Sequence, residues 1–67
     1  MKITMETTVG DILKADDRLV PIVLEVGVHS LDSEAVQKST LSEICSIYGT
    51  DPERIAAKMN ALLEHSA

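Results

Sequence analysis

The sequence predicts an all-α fold, a compact bundle of four to five short helices, and three observations carry that prediction. Helix-start chemistry recurs along the chain, with Thr8, Asp16, Thr40 and Asp51 each standing just before a stretch of apolar periodicity. Gly27 and Gly49 follow such stretches, and Pro52 stands at the opening of the last one. Apolar side chains repeat at three- and four-residue intervals, the spacing that gathers them on one face of a helix. At 67 residues the chain has room for one core, so residues 1–67 are read as a single helical domain without linker, repeat or low-complexity segment.

Each element follows from its neighbours. In Thr8-Val9-Gly10-Asp11 a hydroxyl precedes an acid by three residues, close to a capping box, and Val9, Ile12 and Leu13 supply an apolar face. The first helix is therefore expected over 9–15. Asp16 and Asp17 restart the pattern, since carboxylates accept from the free N–H groups of a helix start and complement its dipole. Leu19, Val20, Ile22, Val23, Leu24 and Val26 follow, broken only by Pro21 and Glu25. Proline forfeits little hydrogen bonding in a first turn, which places the second helix from about Arg18 to the left-handed residue Gly27. Its valines would suit a strand, but the caps favour a helix, and one apolar all round is expected to be the most buried.

Residues 28–39 are the least regular, with a turn or two of helix over 33–37 capped by Ser30 or Ser33. Thr40-Leu41-Ser42-Glu43 is a full capping box. Leu41, Ile44, Cys45 and Tyr48 then form a stripe at i, i+3, i+4 and i+7, closed by Gly49. Asp51 and Pro52 open the last helix, whose inner face is Ile55, Met59, Leu62 and Leu63, while Arg54, Lys58 and Glu64 face water. The core expected from these faces is Leu13, Leu19, Val23, Leu41, Ile44, Cys45, Ile55, Met59 and Leu62.

Charge excludes some functions. Six Lys and Arg against eleven Asp and Glu give a net charge of −5. Nucleic acid would be repelled, and neither a basic stripe nor an aromatic platform offsets that, Tyr48 being the sole aromatic residue. An anionic membrane surface is disfavoured on the same ground. The opening MKITMETTVGD lacks the apolar region of a signal peptide, and the run Leu19 to Leu24 is far short of the ~20 residues that span a bilayer. A cytoplasmic protein is expected, and a lone cysteine agrees, because small secreted domains usually carry several disulfides. A chain of this size buries only about 60% of its unfolded surface and shows no disulfide or metal staple, so self-association is a further expectation.

Three stretches, TTVGDIL, VPIVLEVGVHS and STLSEICSIYGTDPERIAAKMNALL, together cover nearly the whole chain. In them the sequence resembles the hybrid-cluster-protein-associated redox disulfide domain, a small bacterial family otherwise described as a domain of unknown function. Members commonly carry Gly-x-x-Cys-x-x-Cys after their second helix, then a Thr-Leu-led helix ending in Gly-x-Asp. Gly27, Thr40, Leu41, Gly49 and Asp51 match that frame, but Ser30 and Ser33 occupy the cysteine positions. The resemblance implies a dithiol at the tip of a helical hairpin, near a helix start whose partial positive charge lowers a thiol's pKa. Serine has a similar shape, yet its hydroxyl stays un-ionised at neutral pH and forms no disulfide. The redox chemistry implied by the family is therefore expected to be absent here. A natural cysteine-less member and an engineered serine pair both fit the sequence.

His29, Ser30, Asp32 and Ser33 include the side chains of a hydrolase triad, but near neighbours in a chain point in different directions and working triads converge from separate elements. Turn and capping chemistry explains them, and no catalytic residue is assigned. His29 and His65, with Asp32 or Glu64, lack ligand spacing, so neither metal nor cofactor is expected. Cys45 reads as core packing. These residues lead to a non-enzymatic accessory or interaction domain, with a protein partner or homo-oligomer. The competing readings are a thiol–disulfide carrier whose cysteines stood at 30 and 33, and a self-associating structural domain.

Overall fold

The computed structural model describes residues 2–65. They form an all-α fold: α1 (Val9–Ala15), a 3-10 turn (Asp17–Leu19), α2 (Val20–Val26), α3 (Glu34–Lys38), α4 (Leu41–Tyr48) and α5 (Pro52–Glu64). The start signals act through the bonds expected of them. Thr8 accepts from the Asp11 N–H, Thr40 and Glu43 cap each other's backbone reciprocally, and Asp51 accepts from the Glu53 N–H beside Pro52. Asp16 accepts from the Arg18 N–H and also from its guanidinium. That side-chain hydrogen bond lowers the Asp16 carboxyl to about 2.

The second helix departs from expectation at its start. Instead of an α-helix from Arg18, the chain closes a tighter turn, with the Leu19 N–H on the Asp16 carbonyl and the Val20 N–H on that of Asp17. Pro21 explains this, because the bond back to Asp17 that an α-helix needs at that point requires an N–H that proline lacks.

Ile12, Leu19, Cys45 and Met59 lose all measurable exposure, and Val9, Ile22, Val23, Val26, Leu41, Ile44, Ile55 and Ala56 surround them. Of the expected core, Leu13 and Leu62 are only partly buried at its edge. Two apolar residues correct the helical pattern. Tyr48 is 45% exposed, because the core ends at Cys45 and the last turn of α4 overhangs it. Leu24 is 46% exposed although α2 is apolar all round. The helix packs against the 3-10 turn, α4 and α5, and one flank stays open. Lys58 faces water as expected, and it also reaches Glu25 and ties α5 to α2.

Periodicity missed Ile3 and Val28, each only 1% exposed and each outside a helix. Asn60 secures the first of them. The Ile3 N–H donates to Asn60 Oδ1 at 2.7 Å, and Asn60 Nδ2 donates to the Ile3 carbonyl at 2.8 Å. A side-chain amide thus satisfies a buried segment of backbone as a neighbouring strand would. Further on, the Val9 N–H meets the Ser39 carbonyl, the Leu41 N–H that of Thr7 and the Ser42 N–H that of Met5. The result is an antiparallel bridge between Thr8 and Thr40. Both threonines cap helices, and TVGDI and TLSEI place threonine, apolar, acidic and isoleucine residues alike. This likeness is too short to stand out as a repeat in the sequence; the pairing across the bridge brings it into view.

Cys45 belongs to this core. Desolvation, and secondarily the Asp51 carboxylate, push its thiol pKa upward, so the reactive thiolate is scarce as well as inaccessible. A thiol reagent is expected to label the native protein far more slowly than the urea-unfolded one; equal rates would place Cys45 at the surface.

Candidate functional site

The site proposed from the sequence begins where α2 ends. Gly27 has φ +126° and ψ 0°, a conformation that side chains rarely adopt, and its N–H bonds the Leu24 carbonyl. A Cβ built on Gly27 would lie 2.8 Å from Cδ1 of the Tyr48 ring. The ring therefore lies directly on the glycine backbone. Sequence alone gives no sign of this contact, because it joins residues of two helices and depends on a missing side chain.

Beyond Gly27 the buried Val28 draws the chain back toward the core, and His29 and Ser30 emerge into solvent. Ser30-Leu31-Asp32-Ser33 is a turn, closed by the Ser33 N–H on the Ser30 carbonyl at 3.2 Å. Two anchors hold it. Leu31 packs against the core edge, and its carbonyl accepts from Gln37 Nε2 at 2.8 Å. Ser33 stands at the start of α3, where its carbonyl takes the Gln37 N–H. Its hydroxyl makes no capping bond, and Ser30 is not at the cap position, so the expected side-chain cap is not formed. The backbone alone starts this five-residue helix.

His29, Ser30 and Asp32 are exposed, and no side-chain hydrogen bond joins them to one another or to Ser33. A nucleophile, base and orienter in line require such contacts. Among the described residues, no group of three or more His, Cys, Asp or Glu is placed to hold a metal ion. His65 is exposed at the end of α5.

The larger feature of this end of the molecule is apolar. Ile47, one residue before Tyr48, is 71% exposed, and Leu24 lies one turn before Gly27 on the same side of α2. Ile47 was passed over in the sequence, although its place off the buried stripe of α4 was a signal for it. Leu24 gave no such signal, since its helix is apolar on every side. Along the chain, residues 19–53 hold the carboxylates of Glu25, Asp32, Glu34, Glu43, Asp51 and Glu53 and one cation, Lys38; from α5, Lys58 pairs with Glu25 and Arg54 lies near it.

Comparison with protein-family models, with curated proteins and with solved structures gave no match for this chain.

Proposed function

We propose that this chain is a non-enzymatic accessory domain of the cytoplasm that acts by binding another protein, at the surface beside Gly27 where Tyr48 covers the end of α2. The observation that carries this reading is the exposure of three large apolar side chains, Leu24, Ile47 and Tyr48, in a domain that otherwise buries its apolar faces. Grouped apolar exposure on a small protein marks contact surfaces. The family resemblance points to the same end, since it puts the functional pair at Ser30 and Ser33. Among the described residues no helix is long and apolar enough to cross a membrane.

The test is affinity capture from the source cell with the parent chain and with Ile47→Ser side by side. That substitution touches an exposed position and is expected to leave melting unchanged, while a protein retained by the parent is lost. Identical captures by two equally stable chains would overturn the reading.

A second reading, a thiol–disulfide carrier with cysteines at 30 and 33, is favoured by one observation, the closed turn. A hydrogen-bonded turn brings its first and fourth Cα atoms within about 7 Å, overlapping the roughly 4.4–6.8 Å of disulfides. The double variant Ser30→Cys, Ser33→Cys is expected to form an internal disulfide that dithiothreitol reverses, with the fold unchanged. Mass spectrometry and circular dichroism on oxidised and reduced samples check this. A pair that stays reduced under mild oxidant, or bridges only on unfolding, removes the carrier reading. With serine at both positions, no redox-dependent change is expected beyond that of Cys45.

A further inference from the structure

Resting on the binding reading above, we infer that the Leu24–Ile47–Tyr48 surface takes a basic, apolar-anchored segment of a partner protein, one bulky apolar side chain flanked by Lys or Arg, and not a second copy of this chain. Shape gives the first half of the inference. Tyr48 overhangs the core and covers Gly27, Leu24 extends the apolar surface along α2, and Ile47 stands on the outer flank of α4. Together they offer a small apolar seat.

Charge gives the second half. Glu43 lies four residues before Ile47 on the same face of α4. Its carboxylate forms no ion pair among the described residues. The cation Lys38 is engaged by Glu34. Lys58 is paired with Glu25, and Arg54 lies close enough to help lower the Glu25 pKa. Two residues along a helix turn through about 200°, so Glu25 and its cations occupy the flank of α2 opposite to Gly27 and Tyr48. The apolar seat is left with the Glu43 carboxylate beside it in a chain of net charge −5, a field that attracts positive side chains and repels negative ones.

That field weighs against a second copy, which brings a net charge of −5 of its own. Area weighs against it too. A stable dimer needs roughly 800 Å² per partner, about a fifth of the 4142 Å² surface of this chain. Three partly exposed side chains fall well short, whereas a short segment with one anchor fits.

Two synthetic amphipathic peptides with identical leucines test the inference, one with Lys and Arg flanks and one with Glu flanks. Each is titrated into the ¹⁵N-labelled full chain at physiological ionic strength. The basic peptide is expected to shift the amides of Leu24, Gly27, Ile47, Tyr48 and Gly49. Ile47→Ser should weaken its binding roughly tenfold or more. Glu43→Gln should weaken it about two- to fivefold, as a rim charge does, while keeping the helix cap, because glutamine also closes a capping box. Equal binding of the acidic peptide, shifts confined to other faces, or no binding of either peptide overturns the inference. A concentration-dependent dimer that Ile47→Ser abolishes also overturns it, handing the surface to a second copy while the binding reading stands. If Ile47→Ser also leaves cellular capture unchanged, both fall.

Discussion

Leu41→Ala is expected to remove about 2–5 kcal/mol of stability, the cost of truncating a buried leucine whose surroundings cannot close over the gap. Leu41 is 2% exposed at the first position of α4. Its backbone is pinned by the N–H bond to the Thr7 carbonyl, and the following Ser42 is pinned to Met5. The helix start therefore has little freedom to shift inward and refill the space. A 67-residue domain at roughly 0.05–0.15 kcal/mol per residue has only about 3–10 kcal/mol in total. The variant should melt at least about 8 °C below the parent, or be unfolded at room temperature. Thermal and urea melts followed by circular dichroism decide it, and coincidence with the parent would mean that the inner face of α4 is misassigned.

Gly27→Ala is expected to cost about 1–3 kcal/mol through backbone strain alone, because φ +126° lies where side chains are poorly tolerated. The new methyl would also meet the Tyr48 ring at 2.8 Å and push it outward. These two contributions can be separated. In a Tyr48→Ala background the strain persists but the collision is gone, so the pair together should destabilise less than the sum of the single changes. Tyr48 is the only aromatic residue, which makes near-ultraviolet circular dichroism a direct reporter of its environment. Gly27→Ala should flatten that signal even at temperatures where the helices persist. Gly49→Ala is the control, with positive φ but open space around its Cβ position, and it should leave the tyrosine band intact. An unchanged band and melting point in Gly27→Ala would show that the ring does not rest on the glycine.

The helix starts were legible because capping is local: Thr8, Asp16, Thr40 and Asp51 bond backbone groups within three residues of themselves. The inner faces of α4 and α5 were legible through periodicity, up to the point where the partner surface ends and Tyr48 runs past it. Ile3 and Val28 were not, since an isolated apolar residue in an extended segment has no period, and its burial depends on what lies opposite. The 30–33 turn could be read from its serines and aspartate. Its fastening by Gln37 could not, because a glutamine on a five-residue helix carries no mark of its target. The proposed contact surface is the least legible part. It arises where Gly27 lacks a side chain and a distant tyrosine covers the vacancy.

The pairing of Ile3 with Asn60 spans 57 positions of the chain, and it bears on how the protein comes into being. A ribosome adding roughly 5–20 residues per second leaves Ile3 without its native neighbour for several seconds. None of the short helices made in that interval is long enough to persist alone in water. The nascent chain therefore has no stable half to store, and its core closes in one late event after α5 emerges. Until then Ile3 and the apolar length of α2 are open to chaperones.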